Sequence, residues 1–453
     1  MPVRLLVNKT KRDETMMKNK INLALSVLLS GSVAFAAPTL EERVAELEAQ
    51  NSLNIFSFSG TLNTRYDELQ VNQTNPSAID TPKLNYMRMR FSFNVDAAVS
   101  PYIKFYSRYT MTKMMNSWRQ QGTVSQQGID LRAADNYLNS GVVVEKAYAD
   151  LTIPDSNFIF SIGRLPTTDG QPANYWDGKA RMGTYALMAY GSVLDGMALT
   201  YKADSYLPSG HTLALRFLYT PFTDNVIGNF QTPPTSDSNA SGAQTGSRTT
   251  TMKQFSTQQI DYSTTAIGAF ENLNIILQHY NLQDLEFAHN TSATPSNLAI
   301  DVDSTSLAID MQGLFGSNFD LSLSELVTAV KSKGLYGASA AGYGTTLGED
   351  TTYGSTTLIS TRYKIPTWIF GVEYIDGKKG VFYTGNTAED LTNFYGTPGT
   401  GTHLYITKKF VDNLSLRIGH YNQNFKYSPL TIGSVSESDK NIKTYYANLR
   451  LDF

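Results

Sequence analysis

The chain predicts an all-β fold: a transmembrane antiparallel β-barrel of about 16 strands (roughly 14 to 18), preceded by a short helix. Three observations predict it. The last twelve residues alternate strictly between apolar and polar side chains. The joints between such segments run short, long, short, long. Charged residues are only 17% of the 453, while Tyr (27) and Phe (22) are abundant.

Taken in order, the chain opens with a leader. Lys18 and Lys20 follow Met17, residues 21–29 form an apolar core, and Ala34-Phe35-Ala36 is a small-x-small cleavage site before Ala37. Residues 17–36 therefore read as a signal peptide cut between Ala36 and Ala37. Residues 1–16 have no place in it and read as an extension from an upstream start codon. Cleavage removes six of the 37 basic residues and two of the 40 acidic ones, which leaves a mature charge of −7. That balance argues against a nucleic-acid partner.

Residues 37–52 read as a short helix or coiled coil. Thr39 and Glu42 make a capping box, and Leu40, Val44 and Leu47 recur at coiled-coil spacing. Under two heptads cannot hold together alone. Such a segment serves as an adjunct to a preformed oligomer, or lies as an amphipathic helix on another surface.

From 53 to 453 the chain is a run of alternating segments. The cleanest places Met87, Met89, Phe91, Phe93, Val95, Ala97 and Val99 on one face, against Arg88, Arg90, Ser92, Asn94 and Asp96 on the other. On a helix those apolar positions would spread round the whole circumference. Trp368, Phe370, Val372 and Tyr374 repeat the pattern against Glu373. Between 404 and 409 the two faces cannot be told apart. Sixteen strands result, among them segments at 54–66, 271–283, 304–312 and 318–330. Their joints alternate between short ones (100–101, 154–156, 203–210, 313–317, 365–366, 411–412) and long ones (67–83, 112–141, 165–192, 221–254, 284–303, 331–352, 377–401, 424–441). A soluble sandwich has no reason to keep that rhythm; a barrel with short turns at one rim and long loops at the other does. In the closing strand Tyr445, Ala447, Leu449, Leu451 and Phe453 face one way and Arg450 and Asn448 the other. Tyr445 to Phe453 spans about 26 Å, or roughly 20 Å when tilted, close to the height of a lipid-facing band.

The leader, the terminal aromatic strand and the sixteen-strand rhythm together resemble the outer-membrane porins of Gram-negative bacteria, over nearly the whole mature chain. The stretch Gly163-Arg164-Leu165-Pro166-Thr167-Thr168-Asp169-Gly170, with Asp195-Gly196 on the next strand, resembles a poorly characterised porin-like family with a short N-terminal coiled coil. The resemblance implies an outer-membrane homotrimer, with the helix in the periplasm. It also implies that the terminal strand, through Tyr445, Leu449, Leu451 and Phe453, is the signal read by the assembly machinery.

A pore acts through its lumen charges and its narrowest section. Alternation turns Arg65, Arg88, Arg90, Lys104 and Arg108 inward as a basic wall. The third outer loop, 165–192, is aromatic enough to pack inside the barrel. The resemblance makes it the constriction, with Asp169 and Asp177 facing the arginines across the pore. The expected function is passive diffusion of small hydrophilic solutes or ions. The alternatives are a structural or adhesive barrel and an outer-membrane barrel hydrolase. No catalytic set stands out, so no enzyme activity is expected. Without Cys, and with His211, His279, His289, His403 and His420 scattered, no metal or cofactor is expected either.

Overall fold

A computed structural model describes residues 55–72, 84–115, 142–168, 170–176, 183–191, 193–221, 254–289, 296–336, 351–382, 390–427 and 439–453. The leader with Ala36 and Ala37, the helix at 37–52, and both Asp169 and Asp177 lie outside these residues. Sixteen strands form a ring in which each is antiparallel to its neighbours. They are β1 (Phe56–Asn72), β2 (Leu84–Ser100), β3 (Ile103–Met114), β4 (Val143–Thr152), β5 (Phe158–Arg164), β6 (Asp195–Lys202), β7 (His211–Pro221) and β8 (Gln254–Thr264), followed by β9 (Asn272–His289), β10 (Ser296–Gln312), β11 (Phe319–Tyr336), β12 (Thr351–Ile365), β13 (Trp368–Gly377), β14 (Gly399–Val411), β15 (Leu414–Phe425) and β16 (Asn441–Asp452). Every neighbour in space is a neighbour in sequence except at the seam, where β1 pairs with β16.

The two faces of the ring separate as a lipid-bathed cylinder requires. On β15, Ile418 is 57% exposed while Arg417 is 1% and Tyr421 0%. On β13, Trp368, Phe370, Val372 and Tyr374 point out and Glu373 points in. The stretch with no legible facing is settled by its pairing. Leu404 and Ile406 lie on the exposed face, and His403, Tyr405 and Thr407 on the buried one.

The seam is closed by the last residue. Phe453 and Gly60 exchange backbone hydrogen bonds of 2.8 and 3.0 Å. A Cβ on Gly60 would stand 2.4 Å from the Phe453 ring, so the close approach requires glycine there. That ring continues a stack along Phe91, Phe93, Phe58 and Phe56, with centroid spacings from 5.9 to 6.5 Å.

Four strands run further than alternation indicates. β1 continues to Asn72 rather than residue 66, β9 to His289 rather than 283, β10 begins at Ser296 rather than 304, and β11 continues to Tyr336 rather than 330. The backbone ladder persists there, as in Asp67↔Tyr446 and Leu298↔Phe287. On the added part of β10 the apolar residues change face: Ile300 and Val302 are buried inside while Asp303 is exposed, so the outward period-two signal stops while the hydrogen bonds do not.

Candidate functional site

The lumen is spanned by the segment joining β5 to β6. It leaves the wall at a clamp: Arg164 and Asp195 are cross-strand partners joined by two hydrogen bonds of 2.7 and 2.8 Å, and Leu165 N–H donates to Leu194 C=O at 2.9 Å. The segment then reaches β8, where Gln259 Nε2 donates to Thr184 C=O (3.3 Å) and Tyr190 O–H to Thr257 (3.3 Å). At its far end Arg362 on β12 donates to Tyr175 C=O (3.0 Å), Thr407 on β14 donates to Trp176 C=O (2.9 Å), and Trp176 Nε1–H donates to Glu373 on β13 (3.0 Å). In a ring of sixteen, the β13–β14 wall stands eight strands from the β5–β6 clamp. The segment therefore crosses the whole interior. Tyr185, Leu187, Met188 and Tyr190 fill the space along the way, packed on lumen-facing Leu218, Phe255, Tyr280, Leu326 and Leu358. Gly170 lets two arms of the segment touch, since a Cβ there would lie 1.7 Å from Tyr185 C=O.

A second outer loop, between β13 and β14, also folds inward. Its described parts carry Val381, Phe382, Leu391, Phe394 and Tyr395, all at most 4% exposed. Asp390 organises it by accepting from Thr392 N–H (2.9 Å) and Phe394 N–H (2.5 Å). The two loops meet at one carboxylate. Glu373 accepts from Trp176 Nε1–H, from Tyr395 O–H (2.9 Å) and from Ser360 O–H (2.9 Å), and lies 2.6 Å from His403 Nδ1. His403 Nε2 lies 2.8 Å from the Tyr446 hydroxyl. Trp176 stacks on Tyr395 at 5.7 Å and has the Arg417 guanidinium over its ring at 4.9 Å. The His403–Glu373 pair matches half of a hydrolytic triad in its distances alone. Both groups are fully buried, and a tyrosine occupies the position of an alcohol or thiol nucleophile.

The arginines expected in the lumen face it. Arg65 and Arg88 are opposite one another on β1 and β2 and share Asp67, at 2.7 and 3.2 Å. Arg90 reaches Glu145 at 2.5 Å and Arg108 approaches the same carboxylate at 3.8 Å. Arg108 also donates to Asn94 at 2.9 Å. Lys104 sits opposite Ala98 and Asp150 at the short-turn end, where it is exposed. Asp67 and Glu145, which these arginines engage, belong to the barrel wall itself. Arg417 and Arg450 extend the basic surface onto β15 and β16.

Residues 82–436 match the model of a family described as "Protein of unknown function (DUF3373)". The chain belongs to that family. No curated protein matches it. Outer-membrane porins are among the solved structures it resembles. They include OmpF of Salmonella typhi in complex with daunomycin, at 11% identity over 88% of this chain and 97% of that one, with a TM-score of 0.46. The anion-selective porin of Comamonas acidovorans stands at 10% identity, 88% and 100% coverage, and 0.48. The trimer form of OmpT of Vibrio cholerae stands at 11%, 88% and 99%, and 0.44.

Several groups in this DUF3373 chain escape a sequence reading. Glu373 is legible as inward-facing but not as the meeting point of two loops. Asp67 lies within β1, one inward position past Arg65, and Glu145 at a bulge in the β3–β4 ladder; only pairing reveals them as arginine partners. The inward turn of the β13–β14 loop has a signal in two aromatic pairs, Phe382-Tyr383 and Phe394-Tyr395, in a segment otherwise rich in Gly and Thr.

Proposed function

We propose that this barrel is a passive diffusion channel of the Gram-negative outer membrane for small hydrophilic solutes or ions. One observation carries the reading: a closed sixteen-strand wall, apolar outside and hydrogen-bonding inside, is crossed by a loop tied to both sides. In this reading the β5–β6 segment narrows the passage against the wall of Arg65, Arg88, Arg90, Lys104 and Arg108, and Asp169 and Asp177 add negative charge to the loop. The leader directs export, with cleavage between Ala36 and Ala37. Tyr445, Leu449, Leu451 and Phe453 address the chain to the assembly machinery, the protein assembles as a homotrimer in lipid, and the N-terminal helix stands in the periplasm. No catalytic role is assigned.

A second reading, a structural or adhesive barrel with a filled interior, is favoured by the fully buried loop aromatics Tyr175, Trp176, Phe394 and Tyr395. Planar-bilayer recording of purified protein separates the two. Stepwise currents support the channel; silence under every applied voltage removes it. Reversal potential in a salt gradient then reads selectivity, and an Arg88→Ala/Arg90→Ala double variant with unchanged selectivity would take the arginine wall out of the mechanism.

A further inference from the structure

On the arc from β15 to β2 the lumen face carries guanidinium groups in register. Arg417, Asn448, Arg65 and Arg88 are successive cross-strand partners in one row. Neighbouring strands lie about 4.8 Å apart, so these heads stand side by side, and like charges set opposite one another repel. Asp67 relieves part of this by engaging Nε of both Arg65 and Arg88. Both Nη atoms of Arg65 remain, buried and with no hydrogen-bond partner among the described residues. Both polar atoms of the Asn448 amide, beside it, are in the same condition. Asp390 acts on Arg65 electrostatically, but its oxygens already accept from Thr392 and Phe394. The Arg65 plane lies on the Tyr446 ring at 3.9 Å, and Arg417 stands over the same ring at 5.8 Å. A stacked guanidinium keeps its in-plane Nη edge available, and that edge matches two oxygens of a planar or tetrahedral anion.

Native interiors rarely leave buried donors unmade, least of all on a cation. Here two such donors and an amide are adjacent, face the lumen, and are flanked by further positive charge. We propose that Arg65 and Asn448 form a binding site for a small oxyanion of the carboxylate or phosphate type, with Arg417 and Arg88 supplying charge. This rests on the channel reading for how the anion arrives, and it names the solute class that reading leaves open.

Inorganic phosphate is the probe, with acetate as the carboxylate arm and chloride at matched ionic strength as the control. Calorimetric titration of the detergent-purified full chain reads binding apart from conduction. The wild type binds phosphate or acetate saturably. Asn448→Asp places a carboxylate beside Arg65 and weakens that binding by about tenfold or more. Asn448→Leu, which removes only atoms that already lack partners, weakens it without a charge change. Retention of heat-modifiable gel migration establishes that each variant is folded. No saturable binding by the wild type, or equal binding by folded Asn448→Asp, overturns the site. A chain that binds phosphate yet passes no current keeps the site and loses the channel; one that conducts without binding does the reverse.

Discussion

The two sides of the lumen differ behind the same exterior: both hold ion pairs, such as Arg216–Asp261 and Arg362–Asp320 on one side, but only one is also lined with apolar side chains under the loops. From β7 to β13 the inward positions include Leu218, Phe255, Tyr280, Leu282, Val302, Leu326, Leu358 and Ile375, each covered by an inner loop. From β15 to β3 they include Arg417, Arg450, Arg65, Arg88, Arg90 and Arg108, tied to carboxylates or stacked on tyrosine. Outward, both arcs offer the same band, as Leu277 and Ile359 on one and Leu449 and Leu451 on the other attest. One apolar pattern runs round the outside of the wall. The inside answers to whatever occupies it, loop side chains on one arc and charged or hydrated groups on the other.

The contrast can be broken most forcefully at the loop tip. Trp176→Ala deletes a fully buried indole, its hydrogen bond and its stacking partner, and is expected to destabilise by about 3–5 kcal/mol. The crossing segment then detaches from the far wall, and single-channel conductance rises; the gel-shift temperature and bilayer currents check the two effects separately. Ile406→Lys tests the exterior. A cation toward the bilayer core should cost about 2–4 kcal/mol in refolding into lipid vesicles, and a loss below ~0.5 kcal/mol would contradict the assigned facing. Glu373→Gln keeps the shape but weakens the shared acceptor. With one buried donor left poorly matched, about 1–3 kcal/mol should be lost, and current noise should increase as both loops loosen. The smallest effect belongs to Arg108→Ala. Removing its hydrogen bond to Asn94 costs about 1 kcal/mol, while the reversal potential moves toward cation preference.

The exterior is legible in the sequence because one solvent, lipid, reads every second residue. Tyr445, Leu449, Leu451 and Phe453 can be assigned outward from their spacing, and the structure exposes all four. The far ends of β1 and β10 are not legible from the outward face, since their apolar residues Leu69, Ile300 and Val302 turn inward there. The loop crossing is half legible. The aromatic content of 165–192 points inward, but nothing local names Glu373, some two hundred residues away, as its anchor. Cross-lumen partners such as Trp176 and Glu373 follow from the curvature of the closed wall, which no window of sequence contains. The arginines are found for the same reason as the exterior, by alternation; Glu145 escapes because alternation lapses at a bulge, and Asp67 because the apolar outward pattern stops short of it although its strand continues.

Pairing of Gly60 with Phe453 places the first and last segments of the barrel in contact. The β1 edge therefore has no mate until β16 is in place. Until then that edge stays open to mispairing with other chains, and loop closure over nearly four hundred residues makes the final step slow.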